Sequence, residues 1–302
     1  MGGGLSRHGL AVAVSSSGGL GTIGLLDARE LESEIAAARR LCAQPVAVNL
    51  LLPFAREAHF RAAAAADVLV TFQGRPRRRT TNVWMHQCGS VGEALAARDA
   101  GADAVIAQGS EAGGHVRGTT PAVELLAAVR GALGDRYPVL SAGGIADAGD
   151  VRARLQAGAE AVVCGTSFLL TEESGAHPVY KQRLLAATET ILTQLFGVGW
   201  PAPHRVVANR ATERWLGRDP LGPAWLRAAQ RASAPLLGRA PVPLQMRLAA
   251  TQRASRPLFG PVAPTAGGPD NLLDAGPLYA GEIVARIDVL RPAAERVREL
   301  TP

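Results

Sequence analysis

An α/β fold with a parallel sheet is predicted by three features of this sequence. Short apolar runs alternate with Ala-rich helical stretches over the first two-thirds of the 302 residues. The apolar runs are continuous, which is typical of strands buried on both faces. Two helix–strand joints, Ala100–Asp103 and Ala157–Glu160, carry the glycine that often ends a helix before a short turn. Repeated β/α units of this kind predict a parallel α/β fold, and the length of the chain suits a single TIM (β/α)8-type barrel.

Seven strands and five intervening helices are expected, with one helix before them. The strands are Gly21–Leu25, Pro45–Leu50, Val68–Phe72, Asn82–Gln87, Ala104–Gln108, Pro138–Ala142 and Ala161–Cys164. The helices between them are Ala28–Leu41, Glu57–Ala65, Ser90–Ala100, Ala122–Leu133 and Asp147–Ala157. Because Leu10–Val14 reads as the first helix, a first strand should precede it, and the chain begins too late to supply one. The prediction is a barrel whose first strand is missing or truncated.

The composition changes after about Ala186, where Pro and Gly become common. Helices or parts of helices are expected at Thr188–Phe196, Ala211–Trp215 and Pro223–Ser233, a long loop or lid at Arg256–Leu278, and a helical stretch at Gly281–Leu300 interrupted at Pro292. We therefore expect the barrel over 1–186, a smaller, mainly helical lid domain over 187–280, and a C-terminal helix over 281–302 that returns to the barrel.

Charge and cysteine usage exclude several classes of protein. The net charge is +6, but its one dense run, Arg75 and Arg77–Arg79, has few aromatic neighbours and reads as a solvated loop, so no nucleic-acid partner is expected. Three widely spaced cysteines indicate neither a disulfide framework nor a metal site. The N-terminus lacks the apolar region of a signal peptide, and no apolar run approaches the roughly 18 residues of a membrane span. A cytoplasmic protein is expected.

The strongest local motif is AQGSEAGGH, which follows an apolar strand and ends at His115. Loops at the carboxyl ends of barrel strands form active sites. Gly113 and Gly114 allow a close backbone approach to a ligand, and a histidine can exchange a proton near neutral pH. A tight turn with a surface histidine would give the same motif, so both interpretations stay open on these residues alone.

A second signal is a pair of Gly-rich strand ends. One strand runs into Gly143 and Gly144, and the next runs through Cys164 into Gly165 and Thr166. Backbone N–H groups at two successive strand ends form a phosphate pocket in barrels, usually after strands seven and eight. With a missing first strand counted, these are strands seven and eight.

Other polar residues at strand ends are Asn49, Gln73 and Gln87, and each could contact a ligand or satisfy backbone groups. His86 is expected to pack inside. Cys88 and Cys164 have no visible activating base, so neither is expected to be a nucleophile.

Four blocks of the sequence resemble the nitronate monooxygenase family, formerly called 2-nitropropane dioxygenases. They are Ser15–Gly24 (SSSGGLGTIG), Ile106–Gly118 (IAQGSEAGGHVRG), Pro138–Gln182 and Pro277–Glu282 (PLYAGE). The resemblance implies a TIM barrel that binds FMN and oxidises alkyl nitronates with O2 to carbonyl compounds and nitrite. It implies a small-molecule substrate and O2 as partners, and leaves the oligomeric state open.

The resemblance also assigns roles to positions of this chain. His115 matches the catalytic histidine, which acts as a base towards the substrate α-carbon or orients the substrate. Gln87 stands where some relatives carry a lysine. The residues implied in flavin binding are Asn49, Gln87, Gln108, Gly113, Gly114, Gly143, Gly144, Cys164, Gly165 and Thr166.

Two alternatives remain at this level. A flavin-dependent enoyl-thioester (enoyl-ACP) reductase of the same superfamily shares the AGGH motif but takes hydride from NAD(P)H. A truncated, non-catalytic flavin-binding paralogue would explain the missing strand. Relatives begin with a strand that ends in a Pro-Met-Gly-like motif, with which Met1, Gly2 and Gly3 align. Without that strand, we expect weak FMN binding.

Overall fold

The computed structural model describes residues 2–237 and 247–302. Contacts divide the chain into two compact units. The first unit contains Met1–Ala112, Arg117–Gly175 and Val289–Pro302, and the second contains Gly113–Val116 and Ala176–Asp288. Each unit has its own sheet.

The strands and helices have the following bounds. The strands are β1 Gly21–Ile23, β2 Val46–Leu51, β3 Val68–Phe72, β4 Val83–Cys88, β5 Ala104–Gln108, β6 Gly114–His115, β7 Val139–Ala142, β8 Ala161–Val163, β9 Ile191–Thr193, β10 His204–Val207 and β11 Leu278–Tyr279. The helices are α1 His8–Ser15, α2 Ala28–Leu41, α3 Glu57–Ala63, α4 Val91–Asp99, α5 Ala122–Leu133, α6 Ala148–Gln156, α7 Thr166–Leu169, α8 Pro178–Leu185, α9 Arg210–Trp215, α10 Ala224–Leu237, α11 Leu272–Ala275 and α12 Ala293–Leu300. A 3-10 helix covers Glu282–Arg286.

The first unit is built on a curled parallel sheet with strand order β1-β2-β3-β4-β5-β7-β8. Its two faces bury different apolar clusters. Ala47, Val70 and Ile106 belong to the cluster on one face, while Val48 and Leu69 belong to a larger cluster that includes residues of α2 to α5. Because both faces are buried, the strands read as continuous apolar runs. The seven parallel strands and the five helices between them are confirmed.

The helices of this unit begin and end at residues suited to those positions. The side chains of Asp27, Ser90 and Asp147 accept hydrogen bonds from backbone N–H groups of the first turns of α2, α4 and α6. Gly101 and Gly158 have positive φ angles of 85° and 93° just after α4 and α6. These are the glycines of the two predicted helix–strand joints, and the turns exist because glycine adopts this conformation without strain.

The sheet edges lie at β1 and β8, which each pair with one strand in the part of the chain that the structure describes. The N-terminal turn contacts the segments that follow β1 and α7. Gly3 N donates to Leu25 O at 3.1 Å, and Gly175 N, beyond α7, donates to Leu5 O at 3.0 Å. The expected first helix forms as α1. Met1, aligned above with the family's first motif, lies outside the described residues, and the missing first strand stays a prediction.

The crossover from β3 to β4 differs from the other parallel connections because it contains no helix. Residues 73–82 form an irregular loop that carries the arginine run, and Arg75 and Arg77–Arg79 are all exposed. Arg78 forms an ion pair with Asp103 at 2.9 Å. The arginine run therefore lies in a solvated loop, as its composition predicts.

The second unit contains an antiparallel sheet in which β10 pairs with β6, β9 and β11. This sheet corrects the prediction of a mainly helical region. Thr188–Phe196 was expected to be helical, but its centre forms β9, because pairing with β10 outweighs a weak local preference. The expected helices Ala211–Trp215 and Pro223–Ser233 form as α9 and α10.

The division after Gly175 lies before α8, whereas the sequence placed a boundary after residue 186. The difference arises because α8 packs within the second unit. Tyr180 Oη donates to Tyr279 O at 2.6 Å, and Arg183 Nη1 donates to Leu273 O at 2.5 Å.

The C-terminal stretch breaks at Pro292, as expected, between the 3-10 helix and α12. Leu10 and Val14 of α1 pack against Ala293 and Val297 of α12 in the first unit.

Candidate functional site

The two Gly-rich turns lie next to each other at the carboxyl ends of β7 and β8. Gly143 and Gly144 have φ angles of 103° and 74°, which favour glycine. The Ser167 hydroxyl donates to the Ile145 carbonyl at 3.0 Å and so ties the second turn to the first. A Cβ placed on Gly165 would meet no atom within 4 Å. The turns therefore form a backbone cradle with open space above Gly165.

Arg154, on α6, lies against this cradle and was not identified from the sequence. It is 8% exposed, and its Nη2 donates to Gly143 O at 3.3 Å. In the sequence it is one of two arginines on the helix predicted between β7 and β8.

Polar side chains at the other strand ends differ in burial and in hydrogen bonding. Asn49 and Gln87 are half-buried at the ends of β2 and β4. Gln73, just after β3, is buried, is the one non-glycine residue with positive φ (61°) among the described residues, and its Nε2 has no hydrogen-bond partner there. Strain together with an unsatisfied buried donor is typical of a residue that meets a ligand. Of these three, Gln73 is the best supported by the structure.

The AQGSE part of the motif shapes its own loop. Gln108 is buried, and its Oε1 accepts from Arg117 N at 3.1 Å. The Glu111 carboxylate accepts from Ala122 N, the first residue of α5, at 2.9 and 3.0 Å. A carboxylate near a helix N-terminus is stabilised by the helix dipole, so Glu111 orders the loop.

His115 lies in β6, directly opposite His204 of β10. Its imidazole stacks on the indole of Trp200, with ring centroids 3.4 Å apart and planes at 16°. The rings of His204 and Tyr279 lie 5.3 and 5.5 Å from it. The signal for these neighbours was weak: Tyr279 belongs to the PLYAGE block, whereas Trp200 and His204 belong to no recognised motif.

The two glycines before His115 have different functions. A Cβ on Gly113 would lie 2.4 Å from Gly281 N, so the AGGH and PLYAGE blocks meet at backbone contact distance. Gly114 has open space around its Cβ position, but its φ of 72° favours glycine. The backbone conformation before His115 therefore requires a glycine at 113 for lack of space and a glycine at 114 for its positive φ.

Burial keeps the histidines of this cluster neutral. Desolvation lowers the pKa of His115 well below its ordinary value, and His204 lowers it further. Burial also lowers the pKa of His204 to about 4. His204 Nδ1 lies 2.9 Å from Ala202 O, and its Nε2 accepts from Phe196 N at 3.3 Å, which places the ring proton on Nδ1. A neutral imidazole can accept or share a proton at neutral pH.

The remaining candidates are two cysteines and His86. Burial raises the pKa of Cys88 and of Cys164 to about 12, so neither thiol is an activated nucleophile. His86 packs inside, with Nδ1 2.8 Å from Thr71 Oγ1. Within residues 2–237 and 247–302, no group of three or more metal-ligating side chains occurs, and no helix is long and apolar enough to cross a membrane.

Comparison with known proteins identifies the family. The nitronate monooxygenase family model matches residues 1–73 and 75–302. A probable nitronate monooxygenase of Bacillus subtilis is 45% identical over 115 residues, and this match covers 35% of the chain but only 33% of the relative. A probable nitronate monooxygenase of Staphylococcus haemolyticus is 30% identical over 246 residues, which cover 62% of the chain and 68% of the relative.

Two solved structures resemble the whole chain. FabK from Thermotoga maritima has a TM-score of 0.76 at 26% identity and covers 99% of this chain and 90% of its own. Nitroalkane oxidase from Streptomyces ansochromogenes has a TM-score of 0.75 at 28% identity, with coverages of 99% and 92%. The chain therefore belongs to the nitronate monooxygenase family.

Proposed function

We propose that this chain is an FMN-dependent enzyme that oxidises alkyl nitronates with O2 to carbonyl compounds and nitrite. The observation that carries the proposal is the neutral His115, held by β6 and by Trp200 directly after a Gly-Gly turn. Family membership and the likeness to a nitroalkane oxidase support it.

The residues present fit a flavin phosphate and a flavin ring. Open space at Gly165 and the positive φ angles of Gly143 and Gly144 suit a phosphate bound by backbone N–H groups. The unpartnered buried amide of Gln73 suits a heteroatom of the ring. We assign the phosphate to Gly143–Gly144 and Gly165–Thr166, and the ring to Asn49, Gln73, Gln87 and Gln108. Cys164 contributes only its place before the second turn.

The chemistry that bound FMN supplies is electron acceptance from the substrate. The chain's own contribution lies in binding and orientation. An imidazole whose pKa is depressed by burial is a weak base towards a C–H bond, but it remains neutral and can hydrogen-bond an anion. His115 therefore orients a substrate that is already deprotonated. We expect a preference for nitronates over the corresponding neutral nitroalkanes.

The test has two stages. Purified protein should show flavin absorbance bands near roughly 370 and 450 nm, as flavin proteins do. With propionate nitronate it should consume O2, and His115→Ala should lose most of this turnover while His59→Ala, on α3 in the first unit, retains it. Unchanged turnover in His115→Ala would remove the role assigned to His115, whereas a parent protein that binds flavin but consumes no O2 with the nitronate would favour the non-catalytic alternative.

The second candidate function is flavin-dependent reduction of an enoyl thioester with NAD(P)H, which the likeness to FabK favours. Parallel assays separate the two. Rapid NADPH oxidation with an enoyl thioester, and no O2 uptake with a nitronate, would reject the first proposal.

A further inference from the structure

Arg154 is a buried arginine for which its own unit supplies no anionic partner. The residue is 8% exposed, yet no carboxylate of the described residues lies within 4 Å of its guanidinium, and Nε has no hydrogen-bond partner among them. Within the part of the chain that the structure describes, its one side-chain hydrogen bond is the 3.3 Å contact from Nη2 to Gly143 O. Most other arginines of the first unit that form ion pairs are far more exposed: Arg39 and Arg78, for example, are 42% and 36% exposed.

Burial of an unpaired cation is unfavourable. A guanidinium is always protonated, so it cannot lose its charge on desolvation, and buried arginines are normally paired with an anion. One carbonyl oxygen compensates only a small part of this cost. The environment of Arg154 therefore calls for an anion that is not a side chain of this unit.

The position of the guanidinium indicates which anion. Side chains on a helix point towards its N-terminus, so Arg154 reaches back from α6 to the turn after β7. A Cβ on Gly144 would lie 3.1 Å from Arg154 Nη2. The bare glycine thus leaves the guanidinium close to the cradle, and the neighbouring turn offers the open space at Gly165.

We propose that Arg154 is the counter-charge of the flavin phosphate. This inference rests on the proposed function, because it needs a phosphate-bearing flavin at the cradle. A phosphate monoester carries close to two negative charges at neutral pH, and guanidinium groups bind phosphate with charge-assisted hydrogen bonds. Arg154 is then a cofactor-binding residue that selects FMN against riboflavin, which has the same ring and no phosphate.

The test compares these two flavins. Titrations of the apoprotein with FMN and with riboflavin, followed by flavin fluorescence, give the ratio of the two dissociation constants. Arg154→Gln should weaken FMN binding by about 10- to 100-fold, the range for losing a charged hydrogen bond, and leave riboflavin binding unchanged. Arg154→Lys retains the charge but not the two parallel N–H donors of the guanidinium, so its affinity for FMN should lie between those of the parent and of Arg154→Gln. Arg152→Gln, an exposed arginine on the same helix, is the matched control and should bind both flavins like the parent.

Stability of the apoprotein gives a second readout. Because removal of an unpaired buried charge relieves desolvation, Arg154→Met should unfold at the same temperature as the parent or higher while it loses FMN affinity. An equal loss of affinity for both flavins in Arg154→Gln, or a loss for neither, would overturn the inference and leave the flavin proposal intact. If the parent binds neither flavin, both proposals fail.

Discussion

Replacement of Gly113 by alanine should destabilise the protein more than the same change at the adjacent Gly114. The new Cβ would lie 2.4 Å from Gly281 N and 2.5 Å from Ala280 C, where ordinary contacts begin at 3.4 Å, so the two backbone segments must separate by about 1 Å. The obstructing atoms belong to the backbone, and Ala280 N donates a hydrogen bond to Arg205 O of β10 at 3.3 Å, so moving this segment strains its pairing with the sheet. We expect a loss of about 3 kcal/mol in the free energy of unfolding, at the upper end for overpacking.

Two other glycine-to-alanine variants serve as controls for this change in the free energy of unfolding. Gly114→Ala meets no atom but must adopt a left-handed conformation, which costs about 1–2 kcal/mol. Gly131→Ala, in α5 with free space, should stabilise the protein by about 0.5–1 kcal/mol. Urea unfolding followed by circular dichroism gives the three values. If Gly113→Ala is no more destabilising than Gly114→Ala, the close packing of the AGGH and PLYAGE segments is refuted.

Three further predictions concern the rings and the cradle. Trp200→Leu should raise the pKa of His115 towards 6.5 because water reaches the imidazole, and an NMR titration that finds no change would contradict the shielding role of the stack. Burial lowers the pKa of His86 and of His204 to about 4, so the unfolded chain binds more protons than the native one between pH 6.5 and 4. The free energy of unfolding should therefore be highest above pH 6.5 and fall by about 3 kcal/mol per histidine as the pH drops to 4. Urea unfolding that gives the same free energy at pH 7, 5 and 4 would disprove this. Gly165→Ala should leave the apoprotein's unfolding free energy within about 0.5 kcal/mol of the parent, since its Cβ meets nothing, yet weaken FMN binding; unchanged FMN affinity would place the phosphate elsewhere.

The parallel sheet could be predicted because its signals are local. Each strand is a short apolar run next to a helix with identifiable capping residues, such as Ser90 before α4 and Asp147 before α6. The glycines at 143, 144 and 165 stand out in the sequence because strand ends that bind phosphate have a recognisable backbone requirement, and their binding of phosphate stays a prediction. Burial on both faces made these strands continuous rather than alternating, and so detectable.

The second sheet could not be predicted in the same way. Its strands contain only two to four residues, too few to show a period of two. Each is stabilised by a partner far away in sequence, as His115 is by His204. Thr188–Phe196 shows the consequence, because its local pattern allows a helix and only β10 converts its centre into a strand. Trp200 was missed for the same reason: its ring meets His115 only after these strands pair.

Arg154 shows what a sequence hides and how a weak signal could have revealed it. Arg152 and Arg154 stand two positions apart on a helix and therefore point in directions about 200° apart. A helix packed on a barrel has one face in solvent, so at most one of the two can be fully solvated, and Val151 on the buried face favours Arg152 as the exposed one. The sequence thus suggests a buried arginine, but not whether a carboxylate meets it. That second fact depends on tertiary packing, and it turns an ordinary helical residue into a candidate for the cofactor's phosphate.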